Sequence, residues 1–481
     1  MSTSNNLPSR VLVWDDLVHD LQDLAGDFST PLFIVGGAVR DAFLRRPMKD
    51  IDMATPGSGI ALGRKIANGL KGDFYPLDPE RDVGRALIPT ASGTLIVDVA
   101  RFRGADLESD LRDRDFTVNA MAVDLRGDLN AVIDPCGGEQ DLMGRVLRRC
   151  SPHAIPHDPI RALRGVRQSL TFNLHIDPDT LRDMRSAAAH LRDTSPERVR
   201  DEFFHLLNVD KPHGALRIAH RLGLLAAALP SAAGWTTEAF ERTLTVIEIL
   251  NAMLATLRLP RSDDATARFT MGMLAVGLDR YRKALHPLME THYPNERTHR
   301  ALLLLSALLD SHDLRQTEAA AVELRLSNPE KDRLVNLARH RDRFDVLMES
   351  VLDPLLIHRY WRATGDAGID VILLALARFL ADEGLALTQD RWLSIIEHAA
   401  TTLRAIFEQR EQIIDPPVLV DGRALIAHFG LKPGPVIGEL LDVIREAQVM
   451  GQAATAEQAL EVAARYLTAT HRASPDYGSG A

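Results

Sequence analysis

The 481-residue sequence predicts an α+β fold, with a mixed N-terminal domain followed by an all-helical remainder. Short β-branched or apolar runs punctuated by Gly and Pro are confined to the first third, at Leu32–Val35, Lys49–Ala54, Ala86–Pro89 and Thr94–Phe102. From about Pro156 onward, Leu, Ala and Arg recur at three- and four-residue spacing, the period of helices. Breaks at Asp415-Pro416-Pro417 and Lys432-Pro433-Gly434-Pro435 then set off a small helical tail over 416–470, and the Ser/Gly/Pro-rich end, 471–481, is expected to be flexible.

Composition narrows the function classes. A formal charge of −10 excludes a wholly basic nucleic-acid coat protein. Two cysteines, Cys136 and Cys150, exclude a disulfide scaffold and a four-cysteine zinc site, and fit a reducing cytoplasm. The first ten residues lack the apolar core of a signal peptide, and no uncharged apolar run approaches the roughly 18 residues of a membrane span, so no membrane partner is expected. Charge is uneven, however. Asp141–Arg221 carries 14 Lys/Arg against 10 Asp/Glu, which makes it the first place to look for a polyanion.

Along the chain, Leu32-Phe33-Ile34-Val35-Gly36-Gly37-Ala38-Val39-Arg40-Asp41 runs from a buried strand through two glycines into a helix. Gly36 and Gly37 let backbone approach a ligand, the helix start offers N–H groups to an anion, and Arg40 could add a charge-assisted contact to phosphate. Taken alone, Gly-Gly more commonly marks just a tight strand-to-helix turn, and the next element is what changes that reading. The next run, Lys49-Asp50-Ile51-Asp52-Met53-Ala54, sets two carboxylates at i and i+2. On a strand, Asp50 and Asp52 share one face while Ile51 and Met53 point into the core. Such neighbours repel unless a cation lies between them, and hard oxygen ligands suit Mg²⁺. Asp98 is the one charge in Leu95-Ile96-Val97-Asp98-Val99-Ala100, so it is either buried at a cost or aimed at a site. On neighbouring strands beside the glycine turn, Asp50, Asp52 and Asp98 lead us to expect a two-metal phosphoryl-transfer site, although the Asp-x-Asp pair alone is weak evidence.

Further on, His157-Asp158-Pro159-Ile160-Arg161-Ala162-Leu163-Arg164-Gly165-Val166-Arg167 reads as a helix start, with Asp158 as N-cap and Pro159 as first helical residue. Arg161, Arg164 and Arg167 form a ridge over an apolar face of Ala162, Leu163, Val166 and Leu170. The ridge is either a solvated basic helix or a nucleotide reader. In the second case Asp158 and Arg161 would reach a base edge while the later arginines met phosphates.

The ordered set Gly36–Asp41, Asp50–Asp52, Arg114–Ala122 (RDFTVNAMA), Asp134–Leu142 (DPCGGEQDL) and Asp158–Arg167 resembles class II tRNA nucleotidyltransferases and bacterial poly(A) polymerases. The likeness spans Leu32 to about Pro230, continues through Ser195–Glu202, and resumes weakly at Leu431–Gly438. It implies a polymerase-β-like nucleotidyltransferase head with a small mixed sheet over 1–150. A helical neck over 151–230, a tRNA-binding body over 231–415 and the tail would follow. Asp50, Asp52 and Asp98 match the metal-binding carboxylates, and Gly36, Gly37 and Arg40 match positions at the nucleotide phosphates. Arg114 and Asp115, with Thr117 and Asn119, match the ribose motif. Asp134, Gly137, Gly138 and Asp141 fall in the hinge motif. Asp158 and Arg161 match the amino-acid template that selects CTP and ATP, with Arg164 and Arg167 following it, while Glu197 and Arg198 match a structural motif of the neck.

The implied function is CCA addition to the tRNA 3′ end by Mg²⁺-dependent transfer from CTP and ATP, in the cytoplasm. Two departures keep a partial enzyme, adding only CC or only A, in view. His157 stands where the family has Glu, and the connection from Asp98 to Arg114 is short, with Asp113 replacing an Arg. A poly(A) polymerase and an RNA-binding module on an inactive head are the other readings. His312-Asp313 lacks the surrounding residues of a phosphohydrolase site.

Overall fold

Alternating burial along Asp50–Thr55 fixes the layout of the N-terminal sheet: Ile51 and Met53 are buried, while Asp50 and Asp52 are exposed on the opposite face. The structure, a computed structural model, describes residues 11–48, 50–91, 93–258 and 269–473. It divides into two units, Met1–Ala228 and Leu229–Ala481. Lys49, placed by the sequence at the head of this strand, lies outside the described residues, as do 474–481 of the segment expected to be flexible.

The first unit opens with α1 (Asp16–Ala25), β1 (Phe33–Val35), α2 (Gly37–Leu44), β2 (Asp50–Thr55) and α3 (Gly59–Gly69). It continues through β3 (Asp73–Asp78), β4 (Val83–Thr90), β5 (Gly93–Arg101), α4 (Leu107–Arg112), β6 (Ala122–Asp124) and β7 (Val132–Ile133). The seven strands lie in the order β3-β4-β5-β2-β1-β6-β7. β2 and β5 run parallel and the other neighbours antiparallel, so the sheet is mixed. Ile34, Ile51, Met53, Val97 and Val99 pack one face and leave the carboxylates on the other. β3 carries Pro76 and alternates poorly, which suits the sheet edge it occupies and hides it from a pattern search.

Helices then take over: α5 (Gly138–Met143), α6 (Ala154–His157), α7 (Ile160–Thr171), α8 (Pro178–Ala187), α9 (Pro196–Leu207), α10 (Pro212–Arg221) and α11 (Leu224–Ala228). Strand pairing does not stop in the first third. β8 (Val146–Leu147) pairs parallel with β9 (His175–Ile176), and in the second unit His292–Tyr293 pairs with Arg297–Thr298. Two-residue ladders come from tertiary contact and are too short to leave a periodic signal. The start of α7 also differs from expectation. Pro159 occupies the cap position, and the Asp158 carboxylate accepts instead from Arg198 Nη2 at 2.8 Å. A guanidinium outbids a neutral backbone N–H for a carboxylate.

In the second unit the long helix Thr237–Leu257 packs against Gly368–Glu383. Helices Gly422–Phe429, Pro435–Val449 and Ala456–Ala473 close over Leu425, Leu440, Ile444 and Ala459, so the last of them runs through the first residues of the segment expected to be flexible. His312 is buried with Nε2 3.2 Å from the Ala232 carbonyl oxygen, and Asp313 caps Leu314–Glu323. Both serve the fold. Among the described residues no helix is long and apolar enough to cross a membrane.

Candidate active site

The parallel pairing of β2 with β5 sets Asp52 opposite Asp98, with Asp50 two residues earlier on the same face. Paired residues in a parallel ladder share a face, so the three carboxylates lie on one side of the sheet. Asp52 is open to water at its tip, yet protein mass crowds it. Burial, opposed by Arg114 and reinforced by the negative charges of Asp50 and Asp98, pushes its carboxyl up to about 6. Asp98 is half-buried and gives both oxygens to Arg85, at 2.7 Å from Nε and 2.7 Å from Nη2.

Gly36 bounds the site beside this face. It sits at φ +72°, where a side chain is strained, and a Cβ there would meet Arg114 Nη1 at 2.9 Å and Asp52 Oδ2 at 3.7 Å. Arg114 is held by Asp110, which accepts from its Nε at 3.3 Å and Nη2 at 3.1 Å. Gly37 begins α2 and faces Arg40, whose Nη2 would lie 3.4 Å from an added Cβ. Arg40 itself is buried, paired with Asp41, bonded to Asn119 and stacked 3.9 Å over Phe172.

From Asn119 a buried polar chain runs inward. Asn119 Nδ2 donates to Asp115 Oδ1 at 3.0 Å and to Gln168 Oε1 at 2.9 Å. Arg164 Nη1 donates to Asp115 Oδ2 at 3.3 Å. Burial alone would raise the Asp115 carboxyl, but Arg164 and the hydrogen bonds from Asn119 and Phe116 hold it below its ordinary value. Arg164 and Arg167 both reach Glu202 on α9, at 3.5 and 2.5 Å, and keep that buried carboxyl low against the pull of burial. The ridge is therefore not a solvated face. Arg161 is buried too, donating from Nη1 to the carbonyl oxygens of Arg114 at 3.2 Å and Ala154 at 3.0 Å.

The remaining motif residues frame this chain. Asp134 accepts from the N–H groups of Gly138 and Glu139 at 2.8 and 2.9 Å, Gly137 adopts φ +75°, and Asp141 accepts from Thr117 Oγ1 at 2.8 Å. His157 stacks on His153 with ring centroids 5.3 Å apart. Glu197 lies in the first turn of α9. Arg85, Asp110, Gln168 and Glu202 join the site without having been singled out. Arg85 had one signal, its period-2 position on the β4 run, from which a partner for Asp98 follows once the strands are paired.

The chain matches models described as "Poly A polymerase head domain" (32–148), "Probable RNA and SrmB- binding site of polymerase A" (173–235) and tRNA nucleotidyltransferase domain 2 (392–464). An A-adding tRNA nucleotidyltransferase of Deinococcus radiodurans is 31% identical over 451 residues, covering 91% of this chain and 96% of that protein. The chain belongs to the tRNA nucleotidyltransferase family. A CC-adding tRNA nucleotidyltransferase of Geobacter sulfurreducens is 29% identical, covering 92% of this chain and 93% of its own length. In fold, this nucleotidyltransferase is similar to a CCA-adding enzyme solved with ATP (TM-score 0.65, 20% identity, 94% of this chain and 95% of that one). It is also similar to a Thermotoga maritima CCA-adding enzyme solved with tRNA (TM-score 0.59, 20% identity, 94% and 95%).

Nucleotidyltransfer in this family depends on a divalent metal, and the donor set fits one. Hard carboxylate oxygens share a face, and the Asp52 carboxyl, raised chiefly by burial and further by the negative charges of Asp50 and Asp98, would be eased by a cation. Among the described residues no three Asp, Glu, His or Cys side chains converge closely enough to enclose an ion. At this site Asp98 is drawn towards Arg85.

Proposed function

We propose that this chain adds CMP and AMP to the 3′ end of tRNA, using CTP, ATP and Mg²⁺, in the cytoplasm. The observation that carries the reading is the placement of Asp50, Asp52 and Asp98 on one open sheet face, with Gly36 and Arg114 against them. Asp50, Asp52 and Asp98 would hold Mg²⁺, which when bound supplies positive charge at the terminal ribose hydroxyl and the departing pyrophosphate. The hydroxyl oxygen bonds to the α-phosphorus as the bond to pyrophosphate breaks, and its proton passes to solvent.

The chain's own groups do the rest. Gly36 keeps the recess clear, and Arg114, anchored by Asp110, places a cation beside Asp52. Gly37 and Arg40, at the start of α2, serve the nucleotide phosphates, Arg40 held rigidly by Asp41 and Asn119. The Asn119–Asp115–Arg164–Glu202–Arg167 chain fixes the wall that the nucleotide meets. Asp158, steadied by Arg198, and Arg161, steadied by backbone oxygens, select the base by hydrogen bonding. Residues 231–415 and the tail over 416–470 hold the RNA through its shape and backbone. The supporting test is incorporation of labelled CTP and ATP into tRNA transcripts, which Asp50→Ala with Asp52→Ala should abolish; normal incorporation by that variant would sink the reading.

A partial activity is the second reading. The short connection after Asp98 is pinned, with Arg103 N–H donating to Asp110 Oδ1 at 3.0 Å and its second half taken up by α4. Two similar relatives are themselves a CC-adding and an A-adding enzyme. Transcripts ending at the discriminator base, at C and at CC, each given CTP, ATP or both, separate the readings: arrest at CC, or activity confined to CC ends, identifies a partial enzyme.

A further inference from the structure

Four side chains lie in one cross-strand row of the sheet: Tyr75 opposite Arg85, Arg85 opposite Asp98, and Asp98 opposite Asp52. Within it Arg85 grips Asp98 fork to fork, both bonds at 2.7 Å, with the two side chains only 26% and 19% exposed. This is the strongest geometry a guanidinium and a carboxylate can form, and Asp98 in turn holds Arg85 firmly charged. Asp50 and Asp52 differ, since no described residue forms an ion pair or hydrogen bond with either carboxylate. Among the described residues the site thus combines two carboxylates without a direct ion-pair partner, Asp52 being only approached by Arg114, with a third that carries its cation built in.

We propose that Arg85 is a positioning residue for the metal-dependent reaction, a resident cation that aligns Asp98 and tempers its grip on a divalent ion. The inference rests on the nucleotidyltransferase reading of the site. In the absence of substrate, cation affinity then resides in Asp50 and Asp52, and Asp98 contributes weakly while Arg85 holds it. A plain cross-strand ion pair would instead serve the β4–β5 pairing alone, and its loss would move stability but not cation affinity.

Mn²⁺ titrated into the full-length protein without nucleotide or RNA, with the free ion followed by electron paramagnetic resonance, tests this. R85Q removes a unit positive charge a few ångströms from the site, so its Mn²⁺ affinity should rise by about fivefold or more, the scale of one such interaction in well-hydrated surroundings. R85K keeps the charge and should stay within about twofold of wild type. D98N should cost less than about twofold, whereas D50A with D52A should lose the site. A folded R85Q with unchanged or weaker affinity overturns the proposal. So does R85K tightening as much as R85Q, or D98N losing affinity as completely as the Asp50/Asp52 double variant. If R85Q does not fold, the D98N arm alone decides. Failure of the underlying reading looks different: the wild type would add no nucleotide, or Mn²⁺ binding would survive the loss of Asp50 and Asp52.

Discussion

In the second unit, Arg297 and Glu330 are almost wholly removed from water and meet at 2.6 and 2.7 Å, while Asp370 accepts from His299 at 2.9 Å and Arg333 at 2.7 Å. In the first unit, Asp50 and Asp52 stand side by side on an open face, and Asp52 resists ionisation until pH about 6. Both regions gather charge, but one closes its pairs and the other leaves like charges on an exposed sheet face. Closed pairs specify a fold, whereas adjacent open carboxylates cost the protein some stability at neutral pH. Perturbing the two regions should therefore give opposite results.

The largest expected effect is at the open face. Asp50→Ala with Asp52→Ala should lower nucleotide incorporation by about a thousandfold or more, several kcal/mol of transition-state stabilisation. The same change should leave the melting temperature unchanged or higher, because it removes repulsion. A large drop in melting temperature would show that the pair serves the fold. In the closed region the outcome reverses: Arg297→Ala strands Glu330 in the interior and should cost about 3–5 kcal/mol in denaturant unfolding. Arg297→Met with Glu330→Leu should recover most of that loss, and an unrecovered double variant would mean that the pair does more than satisfy itself.

Gly36→Ala is smaller and falls between the two classes. Its φ of +72° and the 2.9 Å approach of Arg114 predict a cost of about 1–3 kcal/mol in stability. Incorporation should fall further than stability alone explains, since the displaced group is Arg114. Equal stability and activity in this variant would show that the recess tolerates a methyl group.

The same division explains what the sequence could disclose. β2 and β5 announced themselves because each buries a core of alternating apolar residues, Ile51 and Met53 in one and Val97 and Val99 in the other, and the carboxylates stood out as interruptions in that pattern. The register that brings Asp98 beside Asp52 depends on strand pairing, which no local pattern records. For the same reason Arg85 and Glu202 stayed hidden: each acquires its role from a partner 13 or 35 residues away. Asp158 shows the opposite failure. Its local grammar spelled an N-cap, and a long-range guanidinium, Arg198, overrode it. Edge strand β3 and the two-residue ladders lacked enough periodicity to be seen at all.

The smallest effect tests the comparison through pH. A carboxyl raised to about 6 from an ordinary value of 3.8 gives the folded state an advantage below pH 3.8, and that advantage disappears as pH rises through 6. Asp52 therefore weakens the protein at neutral pH, and Asp52→Asn should raise the melting temperature by about 1–2 °C at pH 7.5 and by nothing measurable near pH 4. Glu330 and Asp370 lie below their ordinary values, because Arg297 and Ser327 in one case, and His299 and Arg333 in the other, overcome the burial that would raise them. The stability they supply is present above the unfolded carboxylate range and drains away as pH falls through it. Removing Glu330 should thus cost more at pH 7.5 than at pH 4, the mirror image of Asp52→Asn. If both variants followed pH in the same direction, the contrast between an open and a closed charge cluster would be wrong.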